Sequence, residues 1–403
     1  MKNASTITPA AAAGSSWDVV VIGAGPAGTF SARQLALAGK RVLLLEKSSF
    51  PREKVCGGCV SWKATRLLQQ QGLEPWSEQL KHGTADRLRL IAGGQSTCIP
   101  MAPVSIVSRA TFDEYLVNAA VTAGAAFLCQ TSAVIGERQA ASRTIECREP
   151  QHGSFEIASK LVVAADGLSH SSLSRLHNLP DKVADVSHIG IGAIIHEDEA
   201  WLNEAGLAPG IVQMAVGRQG YVGLARSTAG QLHVAAAVAP ALLAQESALN
   251  AVVANILTES GQLTWAERSR VTWCAANWSG TPRLSHRMHC VAADGVFVVG
   301  DSAGYVEPFT GEGIYWALQS AANLSSLLAT AGTWSNGQAE LEWQERHRKF
   351  LRTKTKTARL VTTLLRMPRL TRWSIRALNA MPRAAVLLAW LMNGCPSADQ
   401  VSI

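Results

Sequence analysis

The sequence predicts an α/β fold in which a parallel-sheet unit and an antiparallel-sheet unit interleave, followed by a helical C-terminal segment. Three observations carry that reading. An apolar, β-branched run at residues 17–22 (WDVVVI) leads through a glycine-rich turn into a helix over about 26–38 and a second apolar run at 40–46 (KRVLLLE). Runs that are apolar at every position belong to strands buried on both faces, so this is one βαβ unit of a parallel sheet. The same style returns at 161–165 (LVVAA) and 295–300 (GVFVVG), which scatters pieces of one sheet along the chain. Between those pieces, strand-like runs at 189–195, 211–216, 221–226 and 232–238 follow one another, the last three across short turns. That spacing is an antiparallel meander.

The remaining elements follow in order. Gly39 closes the first helix, residues 50–103 read as Gly-rich turns and helical stretches, and a helix covers about 111–124. Another helix covers about 313–329, and beyond Trp334 the chain reads as basic amphipathic helices interrupted at Pro368 and Pro382. The expected domains are a disordered tail (1–16), a discontinuous nucleotide-binding domain (17–60, 104–182 and 290–330), a substrate domain (61–103 and 183–289) and basic C-terminal helices (331–403).

The 403 residues suit two domains, and 47% hydrophobic against 17% charged residues excludes a disordered chain. The net charge of +7 is local: residues 346–383 hold 12 Lys or Arg and no acid, leaving 25 basic against 30 acidic residues elsewhere. No recognition motif accompanies that charge, so nucleic-acid binding is not expected. A solvated helical face is one reading. A membrane-surface contact is another, because Leu360, Val361, Leu364, Leu365 and Trp373 lie among the arginines. The first sixteen residues lack an apolar signal core. The longest apolar run, 384–392, is about half the ~20 residues of a spanning helix. The expected location is cytoplasmic, with peripheral membrane contact through the basic helices as an option. The eight cysteines, Cys56, Cys59, Cys98, Cys129, Cys147, Cys274, Cys290 and Cys395, form no disulfide framework. His286 and His289 are three apart with no third ligand nearby, so no metal site is expected.

The chemistry concentrates in four motifs. Gly23-Ala24-Gly25-Pro26-Ala27-Gly28 fits GxGxxG between strand and helix, with Glu46 eighteen residues after Gly28. Gly23 permits the tight turn, Gly25 lets a pyrophosphate approach the backbone, and Gly28 lets helix and strand pack closely. The helix starts at Pro26, whose fixed φ suits a first helical position, and the free N–H groups from Ala27 on face the phosphates. Glu46 can accept from ribose hydroxyls and repels a 2′-phosphate, which favours FAD or NAD over NADP. Lys47 follows it. The second motif is Gly300-Asp301-Ser302-Ala303-Gly304, running through Pro308-Phe309-Thr310-Gly311-Glu312-Gly313 into a helix. The third is Asp166-Gly167 after the 161–165 strand, with Ser169 or Ser171 and Arg175 beyond it. The fourth is Pro51-Arg52-Glu53-Lys54-Val55-Cys56-Gly57-Gly58.

Together these motifs resemble the FAD-dependent monooxygenase and oxidoreductase superfamily typified by para-hydroxybenzoate hydroxylase. The fourth resembles the PxxKxCGG segment of its geranylgeranyl reductase branch, as does Arg109 before the helix of Phe112-Asp113-Glu114-Tyr115-Leu116. The resemblance implies a Rossmann-type FAD-binding domain with an interleaved antiparallel-sheet substrate domain. It implies that Asp301, Asp166 and Arg109 lie by the FAD, and that Pro308, Gly311 and Gly313 lead a helix N-terminus to the flavin pyrimidine edge. It sets Cys56 near the flavin. Cys56 and Cys59 make a C-x-x-C, read as small residues flanking a glycine turn rather than a redox pair. The branch's Y-x-W-x-x-P run falls at Tyr221, a candidate substrate contact, but Gly223 and Arg226 replace the Trp and Pro, which weighs against a prenyl substrate.

The expected activity is thus FAD-dependent oxidoreduction. No second GxGxxG is present, which fits NAD(P)H as a transient reductant. The leading expectation is a monooxygenase acting on an apolar, aromatic or polyketide-like molecule. An alkene or prenyl reductase is the alternative, and a flavoprotein that modifies or docks on another protein is a third. No catalytic acid or base is assigned.

Overall fold

The structure is a computed structural model. It describes residues 5–381 except 74–75, 81, 140–141, 229, 247, 308–310, 330–336 and 366, and only the helical backbone over 352–365. The buried apolar runs assemble into the first sheet. The Trp17–Ile22 strand lies between Val42–Leu45 and Gly153–Ala164, parallel to both, with Val21 level with Leu44 and Val163. Val296–Val298 joins the outer side of Gly153–Ala164, and Ala126–Leu128 joins Val42–Leu45. Leu43, Leu44, Val162, Val163 and Phe297 are fully buried, as all-apolar strands under helices must be. The Pro26–Leu37 helix packs between Arg109–Thr122 and Gly313–Ala329.

The second sheet has eight strands and carries the meander. Gly210–Gly217, Gly220–Arg226 and Gln231–Val238 pair antiparallel in sequence order. Ile189–His196 pairs with Gln231–Val238, while Gly210–Gly217 turns its other edge to Gly83–Ala92 in a parallel pairing. One face is covered by the Leu249–Ser260 helix, where Val252, Val253, Ile256 and Leu257 meet Val222, Leu224 and Val234. The other face looks toward the first unit and is where the cavity forms.

Three regions differ from the sequence-based expectation. Within 50–103 the main feature is a long hairpin, Gly83–Ala92 with Gln95–Ile106, rather than helical stretches. Its outward positions carry Arg87, Pro100 and Pro103, which mask the alternation of apolar residues. The expected disordered tail is ordered from Ser5: Pro9–Ala13 is a helix capped by Thr8, Ala12 is buried, and Trp17 Nε1 donates to Ala12 O at 3.0 Å. Thr6 extends the exposed edge of Ala126–Leu128, its N–H donating to Phe127 O at 2.8 Å. Such edge pairing has no apolar signature. Finally, Cys59–Ser61 pairs with the end of Gln95–Ile106 in the second sheet, so residues 59–61 and 104–106 belong to that sheet and not to the nucleotide-binding unit.

Candidate active site and cofactor groove

The glycine loop has the shape its sequence demands. Gly23 has φ +101°, and a Cβ there would meet Ala165 O and lie 2.8 Å from Asp166 Cα. A Cβ on Gly28 would overlap the Gly23 carbonyl oxygen and lie 3.2 Å from Ala165 Cβ. Both glycines are needed for protein to pack on protein. Gly25 is different: a Cβ there would find nothing within 4 Å except Arg52 Nη2 at 3.8 Å. It faces an open groove, as a position reserved for close approach of a ligand should.

Behind the loop runs a chain of alternating charges. Glu46, buried at the end of the Val42–Leu45 strand, accepts from Ala24 N at 2.9 Å and Ser48 N at 3.0 Å. Arg52 Nη2 sits 3.5 Å from Glu46 and 3.2 Å from the fully buried Asp113. Arg109 grips Asp113 with two bonds, of 2.9 and 2.8 Å. Burial alone would depress the Arg109 pKa, but Asp113, then Cys56, outweigh it and hold the guanidinium charged. Arg109 therefore presents a fixed positive charge to the groove.

Asp301 stands in the Gly300–Ala303 turn that follows the Val296–Val298 strand. Ser302 Oγ knots this turn to the Asp166-Gly167 turn: it accepts from Gly167 N at 2.7 Å and donates to Gly167 O at 3.1 Å. Asp166 accepts from Ser172 N at 2.9 Å and Ser302 Oγ at 3.3 Å, so its carboxylate braces protein turns. Lys54 lies between the two turns. Burial, then Arg109, lowers its pKa, with Asp301 opposing.

The groove opens into a cavity of ≈ 1610 Å³, including its open mouth. Gly25, Arg109 and Asp301 line one end and Leu88, Met101 and Val104 the other. The floor is the free face of the second sheet, in cross-strand rows Met214–Gly223–Ala235, Val212–Ala225–His233 and Val216–Tyr221–Ala237. Small residues at four of these positions leave the space. The Cys56–Cys59 loop lies over the floor. A Cβ on Gly58 (φ +71°) would come within 2.7 Å of Val107 O and 2.8 Å of His233 Nδ1, so only glycine fits. Gly311 abuts the same loop, 3.1 Å from Cys59 Cβ at its would-be Cβ, and Lys63 pins the neighbouring Glu312 at 2.6 Å. Burial pushes the Cys59 thiol up to about 12, which keeps it protonated near neutrality and favours a packing role over a thiolate.

Of the residues singled out in the sequence, Gly25, Pro26, Ala27, Cys56, Arg109, Tyr221, Asp301, Gly311 and Gly313 converge on this one space. Gly23, Gly28, Glu46 and Asp166 shape it from behind. Lys47 is exposed and outside the lining, and Arg175 pairs with Glu146 at the surface. Pro308 lies outside the described residues. Sequence reasoning missed Arg52, Asp113 and His233. The first two stand inside the quoted motifs, but nothing in the spacing says that they meet. His233 is a lone histidine in an apolar strand, buried, with Nε2 lacking a hydrogen-bond partner and the pKa lowered by burial to about 4. Cofactor fit rests on the open Gly25 cradle, the helix N-terminus behind it and the Arg109 charge, and these suit a dinucleotide such as FAD.

The chain matches the model of the FAD binding domain family over residues 16–355. It is 26% identical over 339 residues to conditioned medium factor receptor 1 of Dictyostelium discoideum, covering 77% of this chain and 62% of that protein. It thus spans under two thirds of that relative's length. It is 26% identical over 365 residues to menaquinone reductase of Mycolicibacterium smegmatis, covering 87% and 85% of the two chains. A solved flavoprotein/dehydrogenase from Cytophaga hutchinsonii superposes with a TM-score of 0.76 at 17% identity, over 94% and 93% of the chains, which shows a shared fold. Among the described residues no helix is long and apolar enough to cross a membrane.

The glycine geometry separates two variants. Gly25→Val purifies folded but without flavin absorbance, because its side chain occupies the groove. Gly28→Val fails to fold, because its side chain meets backbone. Full flavin content in Gly25→Val refutes the groove assignment. His233 gives a pH test. Unfolded histidine titrates near 6.5 and His233 near about 4, so between those values the unfolded chain binds more protons. The contribution is complete above 6.5 and is lost as pH falls. Between pH 7.5 and 5, wild type should lose about 2 kcal/mol more than His233→Leu in urea unfolding. Equal losses would mean that His233 is not buried neutral.

Proposed function

Because the chain belongs to the FAD binding domain family and is an FAD-dependent oxidoreductase, we propose that it reduces a carbon–carbon double bond in an apolar, polyprenyl-bearing lipid. The observation that carries this reading is the apolar cavity continuous with the cofactor groove and floored by Gly223, Ala225, Ala235 and Ala237. Gly223 and Arg226 weigh against a prenyl substrate in the sequence. Two features of the fold support the prenyl reading all the same. Arg226 is bonded outside the cavity, to Asn203 Oδ1 at 2.7 Å and Leu207 O at 3.0 Å, and Gly223 opens room for an alkyl chain. The end-to-end similarity to a menaquinone reductase adds support.

FAD, when bound and reduced, supplies the hydride. The chain's own residues do the rest. Gly25 and the N-terminus of Pro26–Leu37 receive the pyrophosphate, and Arg109 neutralises charge there. The N-terminus of Gly313–Ala329 favours negative charge at the flavin edge. The Cys56–Cys59 loop and the sheet floor hold the lipid chain and exclude water. The reaction adds a hydride to one carbon and a proton to its neighbour. NAD(P)H, visiting transiently, replenishes the two electrons.

The test is anaerobic turnover of menaquinone with dithionite-reduced enzyme, followed by mass spectrometry. After reoxidation of the quinone ring in air, the reading requires a product still heavier by two hydrogens, with fragmentation placing them in the prenyl chain. A product heavier by one oxygen, formed in air with NADPH, would establish the monooxygenase instead.

A membrane-resident substrate calls for contact with the bilayer. The Pro368–Ala380 helix is docked by buried Ile375 and by Asn379 Nδ2 donating to Ser96 O at 2.9 Å, yet leaves Met367, Leu370 and Trp373 exposed beside Arg369 and Arg372. This is the pattern of an interfacial helix. Wild type should co-sediment with vesicles containing phosphatidylserine, and a Leu370→Ser, Trp373→Ser variant should not. Equal sedimentation of the two removes the helix from that role.

A further inference from the structure

A second cluster of reactive side chains lies outside the cavity, on the far side of the Asp301 turn. His286, on the short strand His286–Met288, is buried. Its Nε2 lies 2.8 Å from the backbone oxygen of Asp301 and its Nδ1 lies 2.8 Å from Asp181 Oδ1. A carbonyl oxygen can only accept, so Nε2 carries the hydrogen. In neutral imidazole that leaves Nδ1 bare, facing a carboxylate that is also an acceptor. Two acceptors at 2.8 Å need a cation between them, either a proton or a metal ion.

His170 favours the metal ion. Its ring meets that of His286 edge to face, with centroids 4.2 Å apart, and its buried Nδ1 has no hydrogen-bond partner. A proton shared by His286 and Asp181 would leave that nitrogen orphaned. A metal ion ligated through Nδ1 would satisfy it. One ligand atom from each of His170, Asp181 and His286 lies within 4.8 Å of the others. Tetrahedral zinc holds its ligand atoms ~3.3 Å apart, and rotation of the half-buried His170 and exposed Asp181 side chains closes that difference. His170 is also held at φ +45°, a left-handed conformation uncommon for a residue with a side chain and often found where function requires it.

We propose that His170, Asp181 and His286 bind a divalent cation of the zinc class, with water as fourth ligand. Two imidazoles and a carboxylate are a zinc set. The His286 Nε2–H donated to Asp301 O is the outer bond that metal-bound histidines use to fix their tautomer. The ion would tie the 167–173 turns and the Asp181–Val183 strand to the backbone of Asp301, so its role is to brace the cofactor turn rather than to touch substrate. The proposal does not depend on which reaction the flavin performs.

The experiment uses tag-free, FAD-loaded protein, incubated with zinc chloride, desalted and analysed by elemental mass spectrometry. Wild type is compared with His170→Asn, since Asn tolerates a positive φ, and with Asp181→Asn, which keeps the side-chain shape. Unchanged circular dichroism reports that each variant is folded, whatever its flavin content. Wild type should hold one zinc per chain, and each variant should bind it roughly tenfold or more weakly. Cobalt in place of zinc should give wild type, but not the variants, ligand-field bands to the red of the flavin. No zinc on wild type, or equal zinc on wild type and both variants, overturns the site.

Discussion

The charge chain Glu46–Arg52–Asp113–Arg109 is the interaction on which the rest of the site depends. It joins the end of the second parallel strand, the segment carrying the cysteine loop, and the Arg109–Thr122 helix. Asp113 is fully buried, so it stands only because two guanidiniums surround it. Removing one partner of such a buried network typically costs ~3–5 kcal/mol, because the remaining charge is left without compensation. The same chain aims Arg109 at the groove and lets Glu46 hold the glycine loop through Ala24 N–H.

The groove at the glycine loop and the apolar cavity are contiguous because two unlike sheets face one another. The parallel sheet is buried on both faces and can offer only its strand ends, where the turns at Gly23, Asp166 and Asp301 collect. The antiparallel sheet has one face covered by a helix and one left free. That free face carries Gly and Ala where it meets the cysteine loop, and the missing volume is the cavity. A flavin edge and an apolar molecule can meet there with little water. The fold alone leaves the chemistry open, and the apolar lining of this space is the observation on which the proposal of an unsaturated apolar substrate rests.

Much of the cofactor loop is legible in the order of its residues. GxGxxG has one physical solution when a strand precedes it and a helix follows, so Gly23, Gly25 and Gly28 each fill the place their spacing implies. Asp301 and Gly311–Gly313 are legible through family resemblance. Lys47 and Asp166 are harder to read, since nearness in sequence to Glu46 or to a strand end does not say which way a side chain turns. Asp166 braces neighbouring turns, and Lys47 is exposed. The hairpin at Gly83–Ile106 is hidden because its outward Pro and Arg interrupt the apolar pattern, although its inward residues alternate correctly.

By itself the sequence determined the two sheet types, the central strands of the parallel sheet, the meander over 189–238 and the cofactor loop, because these rest on short-range periodicity and on glycine at fixed offsets. Tertiary structure alone decided that Arg52 reaches both Glu46 and Asp113, that His233 lies beneath Gly58, and that His170, Asp181 and His286 meet. These residues are brought together by strand pairing across long separations. Which of two distant strands lie side by side is set by the packing of the whole core, and no local pattern encodes it.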